Sequence, residues 1–327
     1  SLTTSAISLA QNGELHIWDT VSCETLYVFQ IDKDCVDVHI LVLDDHHENL
    51  WDAVKVFVTR RSERKTYDLH EFSLASGSLQ ASVVVSVQRP QLLAVFALPP
   101  QADAPLLRHA VGLVSAGRAS KGSRVTFTLL PEEGAASGRG VSVELQDEVT
   151  CLAASKFGSH VAAGQKRGRI DVFHDVQRMF RAYALAYPHV SRAAASLAAL
   201  LAPSVLHWHA HAVHALCFSA LAEQLLSAGE EGVLVLWDVR RGGGGELRFL
   251  PRLGAPIASI GVQLCDVHAA AGASNGRDVL AEVLVATRDG GVRLVNSANL
   301  EVRWSFQALH LPRKPKDHFR LAGSPCL

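Results

Sequence analysis

The stretch from Val205 to Gly254 constrains the fold more than any other part of the chain. It carries three short runs rich in branched or aromatic apolar residues, Val213–Phe218, Gln224–Ser227 and Val233–Val239. Runs of that length, separated by turn-forming residues, read as β-strands. Glu231-Gly232 supplies the tightest turn, where glycine takes a positive φ at little cost. A histidine-rich segment, Leu206-His207-Trp208-His209, precedes the first run, and the last closes on Trp237-Asp238.

An initial His, a mid-repeat Ser, an acidic-Gly turn and a terminal Trp-Asp together mark one blade of a WD40-type β-propeller. The spacing predicts a buried hydrogen-bond relay of His209, Ser227, Glu231 and Trp237 that satisfies polar groups between strands. Glu231 stands where Asp is usual, and its extra methylene predicts a looser relay. The alternative for His209 is an exposed loop histidine.

Similar grammar recurs along the chain, predicting an all-β fold of about six four-stranded blades. The first lacks its beginning: Ser5–Ala10, Glu14–Asp19 and Thr25–Phe29, with an Asn12-Gly13 hairpin turn and Trp18-Asp19 at a strand end. The second comprises Val36–Leu43, Ala53–Thr59, Tyr67–Ser73 and Leu79–Val87. The third comprises Leu92–Leu98, Ala110–Ser115, Arg124–Leu130 and Val141–Leu145. The fourth, Val149–Ala154, His160–Ala163 and Arg169–Phe173, gives way to an Ala- and Leu-rich insertion at 180–203. Alanine favours a short helix there, hung from the outer edge of the blade, or else a low-complexity excursion. The fifth is the blade above, with a Gly242–Gly245 tip and Glu246–Leu250. The sixth, Ile257–Val262, Ala281–Ala286, Gly291–Val295 and Glu301–Phe306, is degenerate, with Val295 in place of the terminal Trp. These assignments place the propeller at 1–309 and a basic linker at 310–327. Seven blades are expected in the intact protein, with one or more upstream of Ser1.

With 327 residues, 48% of them hydrophobic, the chain can bury a large core. A net charge of −1 excludes a surface coated with cations for nucleic acid, so any such contact is a local patch. Six cysteines without paired spacing, several inside strand-like runs, read as reduced core thiols of an intracellular protein. No apolar run has membrane-spanning length, and no basic-then-apolar leader opens the sequence.

Catalytic chemistry finds little support. His207, His209 and His211 alternate as metal ligands on one strand face would, but Trp208 interrupts them and no Cys or carboxylate completes a shell. There is no Gly-x-Ser-x-Gly nucleophile turn. Ala163-Gly164-Gln165-Lys166-Arg167-Gly168 lacks the Gly-Lys-Ser/Thr ending of a phosphate loop and precedes a strand, so it reads as a hairpin. The chain is therefore expected to be no enzyme and to need no cofactor, metal or small-molecule substrate. Basic clusters carry more: Arg60, Arg61, Arg64 and Lys65; Lys166, Arg167 and Arg169; Arg240 and Arg241. On loops, these are candidate contacts for RNA phosphates or protein partners, the alternative being ordinary solubilising charge.

Two stretches go beyond generic blade patterning. Leu206-His207-Trp208-His209 leading into Val213–Ser219, and Arg248-Phe249-Leu250-Pro251-Arg252-Leu253-Gly254-Ala255, resemble the nucleolar WD repeat-containing protein 75 family; Leu225–Trp237 fits the same blade. The resemblance implies the first propeller of a tandem-propeller, non-catalytic scaffold in the small-subunit processome. It implies binding to the 5′ external transcribed spacer of pre-rRNA and to other WD40 and helical-tail subunits in the nucleolus. It further implies a role in 18S rRNA maturation and support of RNA polymerase I transcription. The competing expectation is a WD40 adaptor that recruits a peptide to a ubiquitin ligase or trafficking coat.

Overall fold

The computed structural model describes all residues except 1–4, 11, 20, 43–53, 63–65, 80–83, 102, 108–109, 131–139, 188, 220–221, 240–247, 251, 265–280, 298 and 308–327. The chain is a β-propeller built of antiparallel sheets, and its residues group into two compact units.

One unit takes Ser1–Gln146 and Gln177–Leu200. Its first sheet has three strands, β1 (Ser5–Leu9), β2 (Glu14–Asp19) and β3 (Thr25–Gln30). The second holds β4 (Cys35–Val42), β5 (Val54–Arg61), β6 (Tyr67–Ser73), β7 (Ser78–Leu79) and β8 (Val85–Val87). A single last strand expected at Leu79–Val87 is thus two short ones, both paired with β6. The third holds β9 (Leu93–Ala97), β10 (Val111–Arg118), β11 (Ser123–Leu130) and β12 (Val141–Leu145). Alternate residues of a strand point to opposite faces, and both faces of β5 are buried. Leu15 and Ile17 of β2 pack with Val56, Val58 and Phe72, while Phe57 and Leu69 pack with Leu93 and Leu113. Each such fully buried side chain contributes roughly 1.5–3 kcal/mol.

The other unit takes Asp147–Val176 and Leu201–Cys326. Its sheets are β13 (Val149–Ala154), β14 (His160–Gln165), β15 (Arg169–His174) and β16 (Pro203–His207); β17 (Val213–Phe218), β18 (Gln224–Gly229), β19 (Leu234–Asp238) and β20 (Arg248–Leu250); and β21 (Ile257–Leu264), β22 (Ala281–Thr287), β23 (Gly291–Asn296) and β24 (Val302–Gln307). Ile170, Val172, Leu225, Val235 and Trp237 form one core; Leu226, Leu234, Leu236, Val283, Val285 and Val295 form the next.

The insertion is two helices, α1 (Val176–Ala186) and α2 (Val190–Ala199). The first begins ahead of the Ala-rich segment, because Val176, Met179, Phe180 and Tyr183 repeat at helical spacing and all four are buried. Phe180 meets Phe96 edge-on with ring centroids 5.9 Å apart, and Arg181 pairs with Asp103. Helix α2 lies beside β12, the outer strand of the third sheet. Past the helices the chain supplies β16, so the fourth sheet has its last strand after the insertion: Val205 and Leu206 pair with Asp171 and Ile170.

Two devices repeat between sheets. Trp18 Nε1 donates to Ser8 Oγ at 2.7 Å, and Trp237 Nε1 donates to Ser227 Oγ at 2.7 Å, in each case across ten residues of a hairpin. This aligns β1 with β18 and β2 with β19. At the outer strands, Gln30 Nε2 donates to the carbonyl of Asn12 at 3.2 Å and Gln307 Nε2 to that of Asp289 at 3.0 Å. Each glutamine follows a stacked aromatic pair, Tyr27 with Phe29 and Trp304 with Phe306, and each holds a neighbouring hairpin turn.

Cys35 and Cys151 are buried, Cys217 is half-buried and Cys23 is exposed on a turn, so the thiols are not uniformly core residues; Cys265 and Cys326 lie outside the described residues. No helix among the described residues is long and apolar enough to cross a membrane.

Candidate functional site

The fifth sheet brings His209, Ser227, Glu231 and Trp237 together. Ser227, on β18, and His209, in the loop entering β17, are fully buried. Trp237 is 9% exposed on β19. The Trp237 indole can only donate, so Ser227 Oγ accepts from it and turns its own proton to His209 Nε2, 2.8 Å away. Nε2 must then be unprotonated, which puts the imidazole proton on Nδ1, 3.3 Å from Glu231 Oε2. The other carboxylate oxygen accepts the backbone N–H of His211 at 2.6 Å. Proton direction therefore runs one way from indole to carboxylate.

Burial holds the His209 imidazole below its ordinary pKa, against the pull of the Glu231 charge. Burial would raise Glu231, but backbone N–H groups, its own and that of His211, and the facing His209 outweigh it and hold the carboxyl below the usual range. A neutral histidine beside an ionised glutamate is the result. The reach of Glu231 spans from the imidazole to the loop backbone, so the longer side chain closes the network at both ends.

Neighbouring sheets use other chemistry. In the sixth, Thr287 Oγ1 donates to Asp289 Oδ1 at 2.6 Å and the Gly291 N–H reaches the same oxygen at 3.2 Å. These donors, the Thr287 hydroxyl foremost, hold Asp289 below the usual carboxylate range. In the fourth, buried Asp171 accepts from the Gln165 amide and from Arg169, whose Nε and Nη2 lie 2.9 and 2.7 Å from Oδ1. Sequence reasoning missed this cluster. Its signal is the lone Asp171 inside an apolar strand, with Gln165 and Arg169 flanking the turn.

The basic clusters divide. Arg169 is directed inward to Asp171, while Lys166 and Arg167 stand on the β14–β15 turn with Glu148 and Asp147 at 3.6 and 3.9 Å. The Arg167 side chain is 89% exposed. Arg60 pairs with Asp32 at 2.6 Å, and Arg61 ends β5. Arg64, Lys65, Arg240 and Arg241 lie outside the described residues. His209 is buried while His207 and His211 are exposed, so the alternating histidines do not converge. Among the described residues, no three His, Cys, Asp or Glu side chains are grouped to hold a metal ion.

Two stretches far apart in sequence meet at one place. Trp208, just past β16, stacks on Phe249 of β20 with centroids 5.8 Å apart and planes inclined by 27°. Both rings are exposed, at 38% and 54%.

Comparison with known proteins finds local likeness, and no protein-family model matches the chain. Over 58 residues it is 48% identical to U3 small nucleolar RNA-associated protein 17 of Schizosaccharomyces pombe, covering 18% of this chain and 7% of that protein. It is 51% identical over 57 residues to WD repeat-containing protein 75 of Xenopus laevis, 17% of this chain and 7% of the relative. The Danio rerio protein of the same name is 41% identical over 70 residues, 20% and 8% respectively. The matched segment is thus less than a tenth of each relative's length, and over that segment the chain resembles WD repeat-containing protein 75 and U3 small nucleolar RNA-associated protein 17.

Proposed function

We propose that this chain is a non-catalytic scaffold module of ribosome biogenesis, acting within the small-subunit processome on pre-rRNA of the 18S region. The observation that carries this reading is the local identity of about half to two proteins, one of them named for its association with U3 small nucleolar RNA. The geometry fits the role. The polar groups of the fifth sheet are spent on one another, in a relay that fixes loops, and stiff sheets with fixed loops make a platform that partners can grip. On this reading the partners are other WD40 and helical-tail subunits and the 5′ external transcribed spacer, the compartment is the nucleolus, and support of RNA polymerase I transcription is a consequence of the same assembly. The domain assignment proposed with it is 1–309 as propeller, with the helical insertion running from Val176 to Ala199 rather than over 180–203, and 310–327 as linker. Arg60, Arg61, Lys166 and Arg167 are the described candidates for phosphate or partner contact.

Affinity purification of the full-length protein tests this. Recovery of pre-rRNA together with U3-containing particles is expected. Recovery of ubiquitin-ligase or coat subunits alone would instead make the chain an adaptor.

A further inference from the structure

The exposed pair Trp208 and Phe249 sits where several observations coincide. The segments that meet there, 203–219 and 248–264, contain no Asp or Glu, but carry Arg248, Arg252 and four histidines. The basic β14–β15 turn is packed against the same place: a Cβ on Gly168 would collide with the carbonyl of His209, next to Trp208. Across the sheet, Arg169 is paired in register with His207. The pair is also firmly based, since Trp208 meets the edge of the buried His209 ring at 5.3 Å and 90°. Accessible aromatic faces with an exposed basic turn beside them match the needs of a single-stranded nucleic acid, the nearby Glu231 being engaged by His209 and the His211 N–H. Its bases stack on rings irrespective of sequence, and its phosphates take the cations. An acidic peptide would use the cations and leave the rings exposed.

We propose that Trp208 and Phe249 form a stacking platform for an unpaired RNA base, with Arg167 on the adjoining turn meeting a phosphate of the same strand. The proposal rests on the reading that the chain serves an RNA-containing assembly. The ion pairs of Lys166 and Arg167 do not oppose it, because exposed pairs contribute little and exchange readily for phosphate.

Binding of a fluorescent single-stranded oligouridylate of about 12 nucleotides to the full-length protein, across a salt series and with duplex RNA as control, provides the test. Trp208→Ala and Phe249→Ala are each expected to weaken binding by about tenfold with the salt slope unchanged, and Trp208→Phe to restore most of it. Arg167→Gln is expected to lower the salt slope by about one. If the alanine variants bind like the parent while Arg167→Gln still weakens binding, the platform is wrong and the RNA reading stands. If the parent binds no single-stranded RNA even at low salt, both fall. If the alanine variants keep RNA but lose a co-purifying protein, the pair is a protein contact and the proposal is overturned.

Discussion

The indole of Trp237 donates to Ser227 at 2.7 Å inside the fifth sheet, and Trp18 makes the same bond to Ser8 in the first, where both residues are less buried. The same hydrogen bond in two settings separates the contribution of the bond from that of burial. Trp237→Phe removes the donor and trims the ring while keeping an aromatic side chain, and is expected to cost about 1–2 kcal/mol. Trp237→Ala also opens a cavity and is expected to cost about 3–5 kcal/mol. Trp18→Ala, beginning half-exposed, should cost clearly less than Trp237→Ala. Chemical denaturation of the variants gives the order, and equal losses for Trp18→Ala and Trp237→Ala would contradict it.

Stability should fall on mild acidification. Burial lowers the pKa of His209 from its ordinary 6.5, so the unfolded chain takes up a proton there before the folded chain does. Above about pH 6.5 both states are neutral and the contribution is constant; below it stability declines until the folded value is passed. His214 adds to the same decline, lowered by burial and then by Arg288, whose Nη2 is 3.1 Å from its ring. Glu231, held below 4.5, adds a further loss at lower pH. Melting temperature against pH should therefore drop between neutral pH and pH 5, and His209→Gln should flatten part of that drop.

Gly168 and Gly254 both have positive φ, at +82° and +91°, but differ in surroundings. Alanine at 254 meets nothing within 4 Å and incurs only the backbone strain of about 1–2 kcal/mol. At 168 the same strain is joined by collision with His209, so Gly168→Ala should be the more damaging. Comparable melting temperatures for the two variants would mean that the β14–β15 turn is not packed on the loop before β17.

The helical insertion is held by its buried stripe. Phe180→Ala should cost about 3–5 kcal/mol, since the ring is fully buried against Phe96. Arg181→Ala, which breaks an exposed pair with Asp103, should be nearly silent. Hydrogen exchange of α1 distinguishes the two directly.

Strands and hairpins were legible because β-branched runs and Gly turns act locally: Glu14–Asp19, Tyr67–Ser73, Val149–Ala154 and Val213–Phe218 lie where the pattern places them. The relay residues could be named from spacing, since Ser227 and Trp237 face each other across one hairpin. Other features depend on the chain returning from a distance. Pro203–His207 completes a sheet left behind at His174, and composition drew the insertion to its alanines, although the stripe from Val176 to Tyr183 marks the helix better. The roles of Gln30 and Gln307 need the turn they touch, and the meeting of Trp208 with Phe249 needs two neighbouring sheets, since one follows β16 and the other lies on β20.

The most direct measurement is ultraviolet crosslinking of the full-length protein to RNA in living cells, followed by sequencing of the bound RNA and mapping of the modified peptides. The account predicts pre-rRNA from the 5′ external transcribed spacer as the main species, with adducts within this chain. Crosslinked RNA without pre-rRNA, or pre-rRNA with no adduct within this chain, would contradict it.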